Sequence, residues 1–175
     1  MRRLLLFRHA KSERLTFGAD DLERRLSERG RQDAPKIGAY LVRHGLIPDL
    51  VIVSPAARTR ETWQLAAAAF AKKPLEVFDE RIYEAEAQAI MQVIRECGQT
   101  VPTLLVVGHN PGLQELANLV VASGDLEARQ RLNEKFPTAA LAVIDFTLDD
   151  WTRLHPHSGR LDHFVSPRSL AAATD

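Results

Sequence analysis

The amino-acid sequence predicts an α/β fold, with a mostly parallel central sheet in a three-layer arrangement and helices on both faces. Two observations carry this expectation. Four short apolar runs, Leu4 to Phe7, Leu50 to Val53, Leu104 to Val107 and Ala139 to Phe146 with a single Asp145 inside it, are continuous rather than alternating, as strands buried on both faces are. Between them the apolar residues recur at helical spacing, so strand and helix alternate along the chain, the order that builds a parallel sheet. With 175 residues, 1–175 are expected to form one domain. At that length a folded chain buries about 70% of its extended surface, enough for a closed core without staples.

The elements follow in order. After the first run, Ser27 is a good N-cap for a helix whose stripe is Ala34, Ile37 and Leu41, and Pro35 is expected to kink or delay it. His44 before Gly45 marks its end, where a histidine meets the negative pole of the helix dipole. Ser54-Pro55 and Asn110-Pro111 each put a capping residue before a proline at the first helical position, directly after a strand. Leu65, Ala66, Ala69 and Phe70 form the second stripe, Ala87, Ile90, Met91, Ile94 and Cys97 the third, and Leu113, Leu116, Ala117 and Val120 the fourth. Cys97 is thereby a buried structural thiol, Trp63 a core residue and Trp151 a loop-packing one. Residues 121–138 read as a helical excursion closed by Phe136-Pro137-Thr138, and residues 169–175 as a frayed tail.

Composition excludes several classes. Twenty-three basic residues balance 23 acidic ones, which argues against a nucleic-acid partner and confines any anion site to a local pocket. The lone cysteine rules out an internal disulfide and suits a reducing compartment. The apolar stretch behind Arg2-Arg3 is too short for a signal peptide, and no run is long enough to span a bilayer. The expectation is a soluble cytoplasmic protein with no membrane partner; oligomeric state is not legible. Neither a P-loop nor a Rossmann glycine fingerprint follows any strand, so a nucleotide-binding domain has little support.

The informative charges sit at strand ends. Arg8-His9 follows the first strand, Arg58 lies in the first turn of the helix after the second, and His109 follows the third after one glycine. In a parallel sheet such ends converge on one edge. Arg60 and Arg81 compete with Arg58, but only Arg58 occupies that first turn. Two guanidinium groups and two imidazoles suit a phosphoryl group: arginine offers forked donors, helix N-termini add amide hydrogens, and histidine attacks or transfers protons. His155-Pro156-His157 with His163 invites a zinc reading, but no further ligand completes a set and the segment reads as loop.

Leu5-Leu6-Phe7-Arg8-His9-Ala10-Lys11-Ser12, Leu26-Ser27-Glu28-Arg29-Gly30, Val53-Ser54-Pro55-Ala56-Ala57-Arg58-Thr59-Arg60-Glu61-Thr62 and Val107-Gly108-His109-Asn110-Pro111-Gly112 together resemble the histidine phosphatase superfamily, and its small branch of SixA-like phosphohistidine phosphatases above all. The resemblance runs from about Leu4 to Leu170; Ala10, where larger members usually carry glycine, fits the small branch. It implies a phosphoglycerate mutase-like fold, His9 as a transiently phosphorylated nucleophile, Arg8 and Arg58 as phosphoryl ligands, and His109 as the second histidine of the pocket. It implies no metal and no cofactor. His9 must be unprotonated on its attacking nitrogen, which its cationic neighbours favour.

For the general acid of the wider superfamily, Glu80 in Asp79-Glu80-Arg81-Ile82-Tyr83 resembles the Glu-Arg-x-Tyr segment of phosphoglycerate mutases, with Asp79 and Glu84 as rivals. Lys11 and Ser12 either line the substrate rim or are merely solvated. The chain lacks the long insertions of mutases and phytases, so an open site able to admit a protein surface is expected. The implied function is dephosphorylation of a phosphohistidine-bearing protein. The alternatives are hydrolysis of a small phosphomonoester with Glu80 as acid and, from a different class, a non-catalytic phosphate or phosphoprotein binding module.

Overall fold

The computed structural model describes residues 1–174. In chain order it contains β1 (Arg2–Arg8), α1 (Glu28–Arg43), β2 (Leu50–Val53), α2 (Ala57–Ala67), β3 (Glu76–Phe78), α3 (Ala87–Arg95), β4 (Thr103–Gly108), α4 (Gly112–Val120), β5 (Val121–Gly124), α5 (Leu126–Glu134), β6 (Leu141–Phe146), β7 (Gly159–Val165) and α6 (Pro167–Thr174). The strands form one sheet in the order β3-β2-β4-β1-β6-β7-β5. Only β6 runs against its neighbours; every other pairing is parallel.

β1 lies between β4 and β6, and its side chains alternate between the two faces as a pleated strand requires. Leu4 and Leu6 join a core with α3, α4 and α5, whereas Leu5 and Phe7 join one with α1, α2 and α6. This double burial explains the unbroken apolar run. Arg3 at the strand's start pairs in register with Asp145 of β6, and the two form an ion pair at 2.7 Å, which accounts for the single charge inside that later run.

Several local expectations are corrected. Pro35 lies inside α1 without ending it, because burial of Ala34, Ile37 and Leu41 against the sheet outweighs the missing hydrogen bond. Ser54 does not cap α2: the helix starts at Ala57, and the Ser54 hydroxyl is drawn to His109. α4 starts at Gly112 after a cis Asn110-Pro111 bond, although the Asn110 side chain still accepts a hydrogen bond from the Gln114 amide at 3.1 Å. The segment 121–138 is not purely helical, since β5 precedes α5 and pairs with β7. The supposed tail is α6, whose Leu170 packs on the core beneath α1. Cys97, half-buried against the α3 core, has its thiol pushed up to about 11 by burial and by Glu96.

Candidate active site

Parallel register brings three strand ends to one level. Arg8 pairs with Gly108 across β1 and β4, the His9 amide donates to the Gly108 carbonyl at 3.1 Å, and the Ser54 amide donates to Val107 at 3.1 Å. Because β6 is antiparallel, its beginning reaches the same edge: Ala139 donates to the His9 carbonyl at 2.9 Å, and the Arg8 amide to Ala140 at 3.1 Å. The loop after His9 is also held from α2, where the Thr62 hydroxyl accepts from the Ala10 amide at 2.9 Å and donates to the Arg58 carbonyl at 2.7 Å.

The resulting cavity measures about 270 Å³ and is lined by Arg8, His9, Lys11, Ser12, Arg58, Glu84 and His109, with Arg24 beside them. His9 and His109 are both buried, their rings 5.5 Å apart. The Nδ1 atom of His9 sits 2.7 Å from the Ala10 carbonyl oxygen. A carbonyl only accepts, so Nδ1 carries the hydrogen and Nε2 keeps its lone pair. Burial first, then the positive charges of Arg8 and Arg58, lower the His9 pKa to about 3 against the opposing pull of the Ala10 bond. The cationic neighbours thus have a smaller share than desolvation in keeping the ring neutral. His109 is lowered to about 3 by burial and by Arg58. Its Nε2 lies 2.7 Å from the Ser54 hydroxyl, and its Nδ1 stands 3.6 Å from Glu84.

Arg58 is 1% exposed, and its guanidinium donates to the Asp21 carbonyl at 2.9 Å, the Asp21 carboxylate at 3.0 Å and the Glu84 carboxylate at 2.7 Å. Burial would raise Asp21, but the Tyr83 hydroxyl and the Arg58 charge outweigh it and hold the carboxyl down at about 2. The Arg8 guanidinium donates to the Phe136 carbonyl at 2.8 Å. Arg8 Nε, Arg58 Nε and His109 Nδ1 are buried and have no hydrogen-bond partner among the described residues. Unmet nitrogens of this kind on residues that line a cavity are chemically suited to an anion with several oxygens.

The structure therefore brings Arg8, His9, Arg58 and His109 together, with Lys11 and Ser12 on the cavity wall. It does not bring Glu80. That residue is exposed on a short 3-10 turn, Glu80–Ile82, and does not line the cavity; Asp79 is engaged with Arg81 at 2.8 Å. Of the three carboxylates weighed from sequence only Glu84 reaches the cavity, in a left-handed conformation (φ 50) that is costly for a residue with a side chain. Asp21, Arg24, Ser54, Thr62 and Tyr83 carry no site role in the sequence reading, where Ser54 is only a helix cap and Tyr83 only part of the segment around Glu80. Ser54 and Thr62 fall inside the segment that carries the family resemblance, whereas Asp21 and Arg24 lie in a polar stretch with no periodic signal. His163 belongs to β7 rather than a loop and contacts the Tyr40 hydroxyl at 2.6 Å, and no group of metal-ligating side chains forms among the described residues.

This sheet edge, with its paired histidines and arginines, defines a phosphatase, and comparison places the chain in a family. The model of the histidine phosphatase superfamily (branch 1) matches residues 4–103, more than half of the sequence, and the chain belongs to that superfamily. Within it the chain is SixA-like. Its fold is similar to the crystal structure of a putative phosphohistidine phosphatase SixA from Agrobacterium tumefaciens, with a TM-score of 0.78 and 29% identity over 95% of this chain and 98% of that one. It is equally similar to a putative SixA from Nakamurella multipartitia, with a TM-score of 0.81 and 25% identity over 95% and 96% of the two chains. An uncharacterized protein of Mycobacterium tuberculosis is 34% identical over 92% of this chain and 99% of its own length.

Proposed function

We propose that the chain dephosphorylates phosphohistidine in a protein through a covalent phosphohistidine on His9. One observation carries the reading: the His9–Ala10 contact leaves an unprotonated Nε2 in a cavity lined by Arg8, Arg58 and His109. In the first step His9 Nε2 forms a bond to phosphorus as the phosphorus–nitrogen bond of the substrate breaks. The electron pair leaves on the substrate imidazole, which arrives protonated on its other ring nitrogen and departs neutral. Arg8 and Arg58 hold the phosphoryl oxygens, and His109, with Ser54 donating to its Nε2, presents its Nδ1 hydrogen to a third. Such positioning and charge stabilisation are the main sources of rate in phosphoryl transfer. In the second step water adds to phosphorus, the bond to Nε2 breaks, and inorganic phosphate leaves with His9 neutral again. No step draws on a metal.

The leaving group decides between this reading and ester hydrolysis. An alkoxide needs a proton from an acid, and of the two carboxylates that line the cavity, Glu13 and Glu84, the one beside His109, Glu84, is engaged as an acceptor from Arg58. Imidazole can arrive already protonated, so this arrangement favours a phosphohistidine substrate. Hydrolysis of a small phosphomonoester with Glu84 as acid is the second reading, favoured by the position of that residue. A reducing cytoplasmic setting belongs to the same proposal and rests on the single cysteine.

The test is turnover of a phosphohistidine protein and of an aryl phosphate, in the presence of chelator, with quenching in alkaline detergent to trap labelled enzyme. The expected result is an acid-labile phosphoenzyme in the wild type, none in His9→Ala, and faster turnover of the phosphohistidine substrate. Phosphate binding without any turnover would make the chain a binding module instead.

A further inference from the structure

A second depression opens beside the catalytic cavity and shares Arg8, Lys11 and Thr138 with it. It measures about 430 Å³, larger than the cavity itself, and lies between the start of α1, the segment 135–138 and the start of α6. Five cations line it, Arg8, Lys11, Arg29, Lys135 and Arg168, against one carboxylate, Asp33. Asp33 is already occupied by Lys36 at 3.3 Å and by Arg29 at 3.7 Å. Lys11, Lys135 and Arg168 are exposed, and none has an ion-pair partner among the described residues. In a chain whose charges balance overall, this concentration of unpaired positive charge is a segregated feature.

The groove is also firmly built. The Lys11 carbonyl accepts from both the amide and the hydroxyl of Ser27, at 2.9 and 3.0 Å, and Gly30 of α1 packs so closely on it that a Cβ there would stand 2.0 Å from the oxygen. Lys11 and Arg29 are therefore displayed from fixed backbone next to the place where a phosphoryl group is held.

We propose that this groove docks an acidic segment of the substrate polypeptide, adjoining the phosphohistidine whose phosphoryl group enters the catalytic cavity. The inference rests on the phosphohistidine phosphatase reading and adds the substrate class: a phosphohistidine flanked by carboxylate side chains. Continuity with the cavity and charge complementarity favour a chain that runs from one depression into the other.

The test is Lys135→Glu/Arg168→Glu, which leaves every residue of the catalytic cavity in place. Binding of a fluorescein-labelled, unphosphorylated Asp/Glu-rich peptide, followed by anisotropy, is expected to weaken about tenfold and to lose its dependence on salt. KM for an acidic-flanked phosphohistidine peptide should rise by a similar factor with kcat unchanged, while aryl phosphate turnover stays level. Equal peptide affinity in wild type and variant overturns the proposal. So does an equal loss for peptides with neutral flanks, or a loss confined to inhibition by inorganic tripolyphosphate, which would assign the groove to a small polyanion. If no phosphohistidine peptide is turned over yet acidic-peptide binding still falls in the variant, the groove stands and the phosphohistidine reading fails.

Discussion

The Nδ1 of His9 lies 2.7 Å from the carbonyl oxygen of its own neighbour, Ala10, so the residue next in sequence selects the reactive nitrogen. Ala10 is itself fixed, its amide bonded to Thr62 of α2 at 2.9 Å. His9→Ala is expected to lower kcat by at least about a thousandfold, as loss of a nucleophile does. Thr62→Val removes the acceptor for the Ala10 amide and should lower kcat by about tenfold without changing the phosphoenzyme's chemistry. Single-turnover labelling checks both.

Acid should destabilise the fold through the same pair of histidines. His9 and His109 are each lowered to about 3, burial being the largest cause, whereas unfolded histidine titrates at about 6.5. Between those values the unfolded chain binds more protons than the folded one. The native state therefore loses stability as pH falls through this window. From pH 7 to 5 the loss is about 2 kcal/mol for each histidine. Urea titrations at the two pH values measure it, and His9→Asn/His109→Asn should flatten the dependence.

Arg58 holds Asp21 and Glu84 with one guanidinium fork. Arg58→Ala should reduce kcat/KM by about 10²–10³. Arg58→Lys should recover little of it, because an ammonium cannot reproduce the fork. A lysine variant within threefold of wild type would show that charge alone is sufficient there.

Glu84 and Glu80 separate cleanly. Glu84→Gln is expected to lower aryl phosphate hydrolysis by about a hundredfold and phosphohistidine hydrolysis much less, since the latter leaving group supplies its own proton. Glu80→Gln, on an exposed turn, should leave both rates unchanged. A collapse of ester hydrolysis in Glu80→Gln would return the acid to that residue.

Two glycines test how closely the helices approach the site. A Cβ on Gly38 would lie 2.2 Å from the Ala66 carbonyl, and one on Gly30 2.0 Å from that of Lys11. Both alanine variants should unfold more easily, by about 2 kcal/mol, through overpacking. Only Gly30→Ala should also impair kcat, because it displaces the loop behind the nucleophile. Thermal melts beside rate measurements distinguish the two.

Much of this molecule is legible in its residues, for identifiable reasons. Strands β1, β2, β4 and β6 are buried on both faces and announce themselves as apolar runs, with Arg8 and His9 at the end of β1, His109 directly after β4 and Arg58 in the first turn of the helix after β2. β3 and β5 are edge strands with exposed or half-buried side chains, and in near-edge β7 buried Leu161 and Phe164 are separated by polar residues, so no continuous run marks them. Pro35 shows packing overriding a local preference. Glu80 shows the limit of a local match: its segment resembles the mutases, but the left-handed backbone at Glu84 turns the later carboxylate inward.

The place of β1 between β4 and β6 sets the order in which the protein can be completed. β1 precedes both of its partners, residues 103–108 and 141–146, along the chain, so its apolar side chains have neither neighbour until β4 has been made. At typical elongation rates that interval is on the order of ten seconds. Leu4, Leu5, Leu6 and Phe7 wait unpaired throughout it, and the nucleophile that follows them has no pocket. A chain cut short before Leu141 is expected to carry His9 without a closed site, and phosphoenzyme labelling of such a truncation checks it.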